Sequence, residues 1–204
     1  MVLRAFNIVA VIVAAFAFTA VAEAKSLKSN SLNVGNPTSV PYGWVDFCSR
    51  HAEECNVAEL PASEVALSSK TYRDLNRINL QVNAFIEPVS NLEHWGTLLD
   101  HWDYPTDGKG DCKIYALYKR KLLMELGYPR QALLMTVVKD LQGNGHAILT
   151  VKTSKGELVL DNLSDDIRSP GETGYGFIKR QSQENPNVWL TLSENAGAQA
   201  SVQQ

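Results

Sequence analysis

Between residues 111 and 162 the chain runs through one helical pattern and then three strand patterns separated only by short turns, an order that limits the fold more than any other feature. From Cys112 onward Ile114, Leu117, Tyr118, Leu122 and residues 124–126 recur at helical spacing, with Lys119, Arg120, Lys121 and Glu125 on the other faces. Asp111, after the flexible Gly108-Lys109-Gly110, suits an N-cap, while Gly127 and Pro129 supply a stop. Next come "ALLMTVVK" (132–139), the turn Gln142-Gly143-Asn144-Gly145, "HAILTVKT" from His146, the turn Ser154-Lys155-Gly156, and "ELVLDN". Such β-branched apolar runs between turn residues read as sequential antiparallel strands. The expected class is therefore α+β, with a helix packed on an antiparallel sheet. A second helical pattern over 63–86 sets Tyr72, Leu75, Ile78, Val82 and Phe85 on one face and is expected to pack behind the first.

Arg4, the apolar run 8–22 and the small-x-small triplet Ala22-Glu23-Ala24 have the order of an export signal, so residues 1–24 read as a cleaved signal peptide. The run is shorter than the roughly 20 residues needed to cross a bilayer, and no later segment is apolar for long enough. A periplasmic or secreted protein without stable membrane insertion is expected. Residues 25–40, rich in Ser, Asn and Lys, read as a flexible leader and 193–204 as a flexible tail, which leaves 41–192 as one domain. Nineteen Lys and Arg stand against 22 Asp and Glu, and Lys119-Arg120-Lys121 reads as a solvated helix face. No nucleic-acid partner is expected from that balance.

Three cysteines in an exported chain leave one without an intramolecular partner. Cys48 and Cys55 lie close together in "FCSRHAEEC", and an oxidising compartment favours joining them. The other readings are two reduced thiols packed as small hydrophobes, or a metal site with His51 as its one extra soft ligand. Cys112 is then the odd one out. In the first turn of its helix a thiolate would face unpaired N–H groups and the positive end of the dipole. The adjacent Asp111 carboxylate opposes this, so a neighbouring imidazolium is required. His146 begins the second strand and Asp161 ends the third, and hairpin pairing would set those ends side by side. Asp161 would then orient His146, and His146 would activate Cys112.

Each residue also has a purely structural reading: a packed thiol, a solvated imidazole, a turn-capping carboxylate. Asn162 is an alternative to Asp161 as the orienting group. In "HWGTLLDHWD", His94, His101 and Asp103 lack the spacing of a specific metal site, and Trp95, Leu98 and Leu99 read as helix core. Trp102, Tyr104 and Trp189 suit either a groove wall or the core.

The stretches "GKGDCKIYALYKRKLLMELGYP", "GHAILTV", "LVLDN" and "TGYGFIKRQSQENPNVWL", with "FCSRHAEEC" before them, resemble in order the bacterial transglutaminase-like cysteine proteinases over residues 44–192. The resemblance includes their LapG-like periplasmic branch. It implies a papain-like or transglutaminase-like fold, with a helical N-terminal part and the nucleophile helix packed on the sheet. It also implies catalytic roles for Cys112 in "GDC", His146 in "GHA" and Asp161 in "LDN". The implied reaction is hydrolysis of a peptide bond in an exported or surface protein, such as an adhesin. In that family the cysteine motif reads Gly-Asp-Cys-Glu-Asp, and in the LapG-like branch acidic residues there bind calcium. Here Lys113 and Ile114 follow the cysteine, leaving only Asp111. Calcium takes about six to eight oxygen ligands, so no calcium and no other cofactor is expected. Acyl transfer to an amine is the nearest alternative reaction. A catalytically inactive protein-binding module on the same fold is the alternative that the Lys113-Ile114 change motivates.

Overall fold

The structure, a computed structural model, describes residues 31–193; the expected signal peptide and the tail beyond 193 lie outside the described residues. In chain order the elements are β1 (Asn33–Thr38), α1 (Tyr42–Arg50), α2 (Ala52–Cys55), α3 (Ser69–Phe85), β2 (Glu87–Pro88), α4 (Asn91–Trp95), β3 (Lys109–Gly110) and α5 (Cys112–Glu125). A 3-10 turn at Arg130–Ala132 leads to β4 (Leu133–Lys139), β5 (Gly145–Thr153), β6 (Gly156–Leu160), α6 (Pro170–Thr173), β7 (Gly176–Gln181) and β8 (Trp189–Ser193). The main sheet has the order β1-β8-β7-β4-β5-β6 with every neighbour antiparallel, and β2 pairs with β3 in a small parallel ladder.

The expected meander is β4-β5-β6. Its first turn is closed by the Asp140 carboxylate, which accepts from the Gln142 and Asn144 amides at 2.9 and 2.8 Å, while Gly143 takes a φ of +83° that disfavours any other residue. β4 and β5 are buried on both faces, which explains their nearly unbroken apolar runs. One face meets α5, with α3 behind it, as the two helical patterns imply. The other carries a smaller cluster of Val138, Ile148, Val159, Tyr175, Phe177 and Leu192.

Four local readings change. α3 starts at Ser69, not at 63, because Ser68 caps it through the Thr71 amide at 3.1 Å and Val65 is held in an extended bridge to Thr153. Leu75, Ile78 and Val82 are buried, whereas Tyr72 and Phe85 lie at the exposed margins of that face. Residues 33–38, placed in a leader by composition, form edge strand β1 against β8; backbone pairing holds them, so their exposed side chains give no apolar signature. Leu98 and Leu99 are 85% and 64% exposed and are not helix core, because α4 ends at Gly96 in the left-handed conformation. Lys119 and Arg120 are fully buried instead of solvated, since α5 is surrounded by sheet and helices.

Cys48 and Cys55 form a disulfide with 5.6 Å between their Cα atoms. The closed segment presents Glu54 to the buried Arg120 guanidinium at 3.1 Å and to the Tyr104 hydroxyl at 2.6 Å, which ties α2 to α5. Trp102 and Trp189 are core residues packed edge to face at 6.2 Å, and Trp102 also meets Trp44. No helix among the described residues is long and apolar enough to cross a membrane.

Candidate active site

The site forms where the start of α5 faces the start of β5. Gly110 brings the chain in tightly: a Cβ there would sit 2.6 Å from Ile114 Cγ2. Asp111 occupies the N-cap position, and its carbonyl accepts from the Ile114 and Tyr115 amides at 3.0 and 3.2 Å. Its carboxylate does not cap the helix as the sequence suggested; it turns to the Lys113 ammonium. Cys112, half-buried, is the free cysteine, and it lies in the first turn beside the unpaired N–H groups at the positive end of the helix.

Across the cleft the β5–β6 register sets Leu149 opposite Leu160, which brings His146 and Asp161 together at one end of the pair. His146 Nε2 lies 2.8 Å from Asp161 Oδ1, leaving the other ring nitrogen for the sulfur. Asp161 is 2% exposed and accepts two further bonds: from the Tyr175 hydroxyl at 2.6 Å and from the Leu163 amide at 3.1 Å. Its backbone is fixed as well, because Asn83 on α3 donates to the Asp161 carbonyl at 3.0 Å, and Asn79 donates to the carbonyls of Ser164 and Asp165. A long helix thus anchors the loop that carries the carboxylate.

Burial alone would discharge both partners. For His146 burial lowers the pKa, but the hydrogen bond to Asp161 and the nearby Cys112 sulfur outweigh it and raise the value to about 9. For Asp161 burial pushes upward, and the bonds from His146 and Tyr175 hold the carboxyl below its ordinary range. Tyr175 moves up, through burial and the adjacent carboxylate, and so remains a protonated donor. Tyr175 had no assigned role in the sequence. Its one local signal is its position between Gly174, which ends α6 in the left-handed conformation, and Gly176, which opens β7.

Cys112 and His146 line a cleft of about 270 Å³. Trp102, Asp100 and Lys113 form one wall, and Val137, Ala147 and Lys179 contribute to the rest. Lys113 Nζ sits 3.0 Å from Asp100 Oδ1 and also contacts Asp111, while Asp100 Oδ2 accepts from Trp102 Nε1 at 2.8 Å. Burial opposes the charge on Lys113, and the two carboxylates overcome it and raise its pKa. Asn162 does not approach His146 as a hydrogen-bond partner; its Oδ1 is buried without one. In "HWGTLLDHWD" His94 pairs with Asp107 at 2.8 Å, away from the other two candidates; His101 meets Asp46 at 3.3 Å and Asp103 at 3.7 Å, and Asp103 also pairs with Arg50 and His51. An orientable imidazole beside a free thiol at a helix N-terminus is the equipment of nucleophilic acyl transfer.

Among solved structures the chain is similar to LapG of Legionella pneumophila, at 25% identity and a TM-score of 0.50, covering 58% of this chain and 68% of that one. The calcium-bound form of that protein matches at 26% identity and a TM-score of 0.50, over 62% of this chain and 73% of that one. Its EGTA-treated form, at 22% identity and a TM-score of 0.50 over 63% and 74%, shows likeness of fold. A comparison with curated proteins finds no match. The profile of the bacterial transglutaminase-like cysteine proteinases, BTLCP, matches residues 34–197, so the chain belongs to that family and is a transglutaminase-like cysteine peptidase.

Proposed function

We propose that Cys112, His146 and Asp161 act as a triad that hydrolyses a peptide bond in an exported or surface protein. The observation that carries this reading is an imidazole fixed at 2.8 Å by a buried carboxylate and opening on the cleft that holds the free thiol. His146 takes the Cys112 proton, and the thiolate attacks the substrate carbonyl to form a C–S bond. The oxyanion forms beside the N-terminal amides of α5, whose dipole favours negative charge. Collapse breaks the C–N bond, and His146 returns its proton to the leaving amine. His146 then deprotonates water, which cleaves the thioester. Asp161 holds the ring and stabilises its charge without taking the proton.

An adhesin is the substrate suggested by the LapG-like resemblance, and the Cys48–Cys55 bond supports an oxidising, extracytoplasmic compartment. One LapG structure is calcium-bound. The residues around Cys112 do not fit that ion: the Lys113 ammonium lies between Asp100 and Asp111, where calcium would require oxygen ligands. No step is routed through a metal.

The test is the rate at which iodoacetamide alkylates Cys112 in the mature protein, compared with His146→Ala. A fall on the order of 10²-fold at neutral pH is expected. Equal rates would show that no imidazole activates the thiol and would leave only a binding module. Sequencing the new N-termini of exported proteins incubated with the enzyme then identifies the substrate, and products cross-linked to amines instead would indicate transamidation.

A further inference from the structure

We infer that Lys113 is a positioning residue: its ammonium is a cation carried by the chain itself, which neutralises Asp111 beside the nucleophile and straps the Asp100–Trp102 wall of the cleft to the start of α5. The inference rests on the peptidase reading of Cys112.

Three observations support it. First, Lys113 Nζ bridges carboxylates from two separate segments, Asp111 at the N-cap of α5 and Asp100 in the loop before Trp102. Its side chain is only 12% exposed and that of Asp111 19%, so that half of the bridge is largely enclosed, whereas Asp100, at 42%, reaches toward solvent. Second, the bridge continues. Asp100 also accepts from Trp102 Nε1, and the indole is wedged against Gly43, where any Cβ would lie 2.1 Å from Trp102 Cδ1. Moving the lysine would therefore release a wall residue that has little room to settle elsewhere. Third, Asp111 is adjacent in sequence to Cys112, and its Oδ1 is buried with no hydrogen-bond partner. An unneutralised carboxylate in that position would oppose a thiolate one residue away, and Coulomb repulsion in a partly buried site is large enough to matter. The other cleft lysine does not offer a substitute, because Lys179 Nζ is bound to the Ser39 carbonyl at 2.8 Å.

The ammonium takes up the space between the Asp100 and Asp111 carboxylates. Lysine thus makes the site independent of metal, and a carboxylate at position 113 would complete an acidic set with Asp100 and Asp111.

The experiment measures thermal unfolding and the pH profile of Cys112 alkylation in excess EGTA and in millimolar calcium. Wild type should give the same melting temperature and the same profile in both. Lys113→Gln should react about tenfold more slowly at neutral pH, with the acid limb of its profile moved to higher pH, and Lys113→Arg should recover most of the rate. Lys113→Glu should lose stability and reactivity in EGTA and regain both in calcium. Asp100→Asn, which opens the strap from its more exposed end, serves if Lys113→Gln does not fold and should slow alkylation several-fold. A wild type that melts earlier in EGTA, a Lys113→Gln or Asp100→Asn profile like wild type, or a Lys113→Glu protein insensitive to calcium would each overturn the inference. If His146→Ala also alkylates as fast as wild type, it is the triad that fails, whatever the chelator does.

Discussion

Strand β6 carries a buried carboxylate at each end, and the two differ in what surrounds them. Glu157 near its start is 1% exposed and neutralised by Arg180 at 2.7 Å and Lys152 at 3.0 Å. Asp161 just past its end is 2% exposed and held by His146 and Tyr175. Both satisfy the rule that a buried charge needs partners. Glu157 is matched by an arginine guanidinium that does not exchange protons, and it joins three strands of the sheet. Asp161 is matched by an imidazole that opens on a cleft beside a thiol. Burial therefore marks cost, and a chemical role depends on a partner that can pass a proton to something accessible.

Removing one charge at each end should separate the two carboxylates most strongly. Asp161→Asn should slow Cys112 alkylation and peptide hydrolysis by on the order of 10²- to 10⁴-fold while the protein stays folded. Glu157→Gln should do the reverse, destabilising the fold by about 3 kcal/mol in urea titration while the folded fraction keeps its alkylation rate. If both variants slow the thiol equally, the two carboxylates are not different in kind. Tyr175→Phe comes next: it leaves Asp161 with one hydrogen bond fewer, and hydrolysis should fall about tenfold, the weight of one bond to a charged group. An unchanged rate would make the phenol a packing residue only.

The smallest expected effect is on stability against pH. His146 in the folded protein titrates above its ordinary 6.5, at about 9. Its pairing therefore contributes fully below about 6.5 and is lost as pH rises through about 9. Asp161, held below its ordinary 3.8, contributes above that value and loses the contribution as acid protonates it. Asp161→Asn should flatten both limbs in urea unfolding, whereas Glu157→Gln should leave the alkaline limb unchanged.

What the sequence could reveal followed the range of the forces involved. The meander was legible because turn chemistry and β-branched runs act over a few residues, and a single hairpin register was enough to join His146 to Asp161. The helix carrying Cys112 was legible from its spacing and its Gly127 stop. Long-range matters were not. The charges of Lys119 and Arg120 suggested solvent, but tertiary packing encloses α5, and Arg120 meets a glutamate 66 positions away. Burial drives the Lys119 pKa down to about 7, which no helical pattern encodes. β1 is held by its backbone pairing with β8 and a bond from the Thr191 hydroxyl to the Asn36 carbonyl, and its exposed side chains carry no periodicity. The side chain of Asp111 has two uses open to it, a cap and an ion pair, and it takes the second with Lys113, whose ammonium also meets Asp100 from a distant loop.

The most direct measurement is the protonation of His146 itself, followed by NMR of the imidazole across pH in the mature protein and in Cys112→Ser. A transition near 9 is expected in the wild type, moving down when the sulfur is removed. A transition at the ordinary 6.5, indifferent to the cysteine, would mean that thiol and imidazole do not act as a pair.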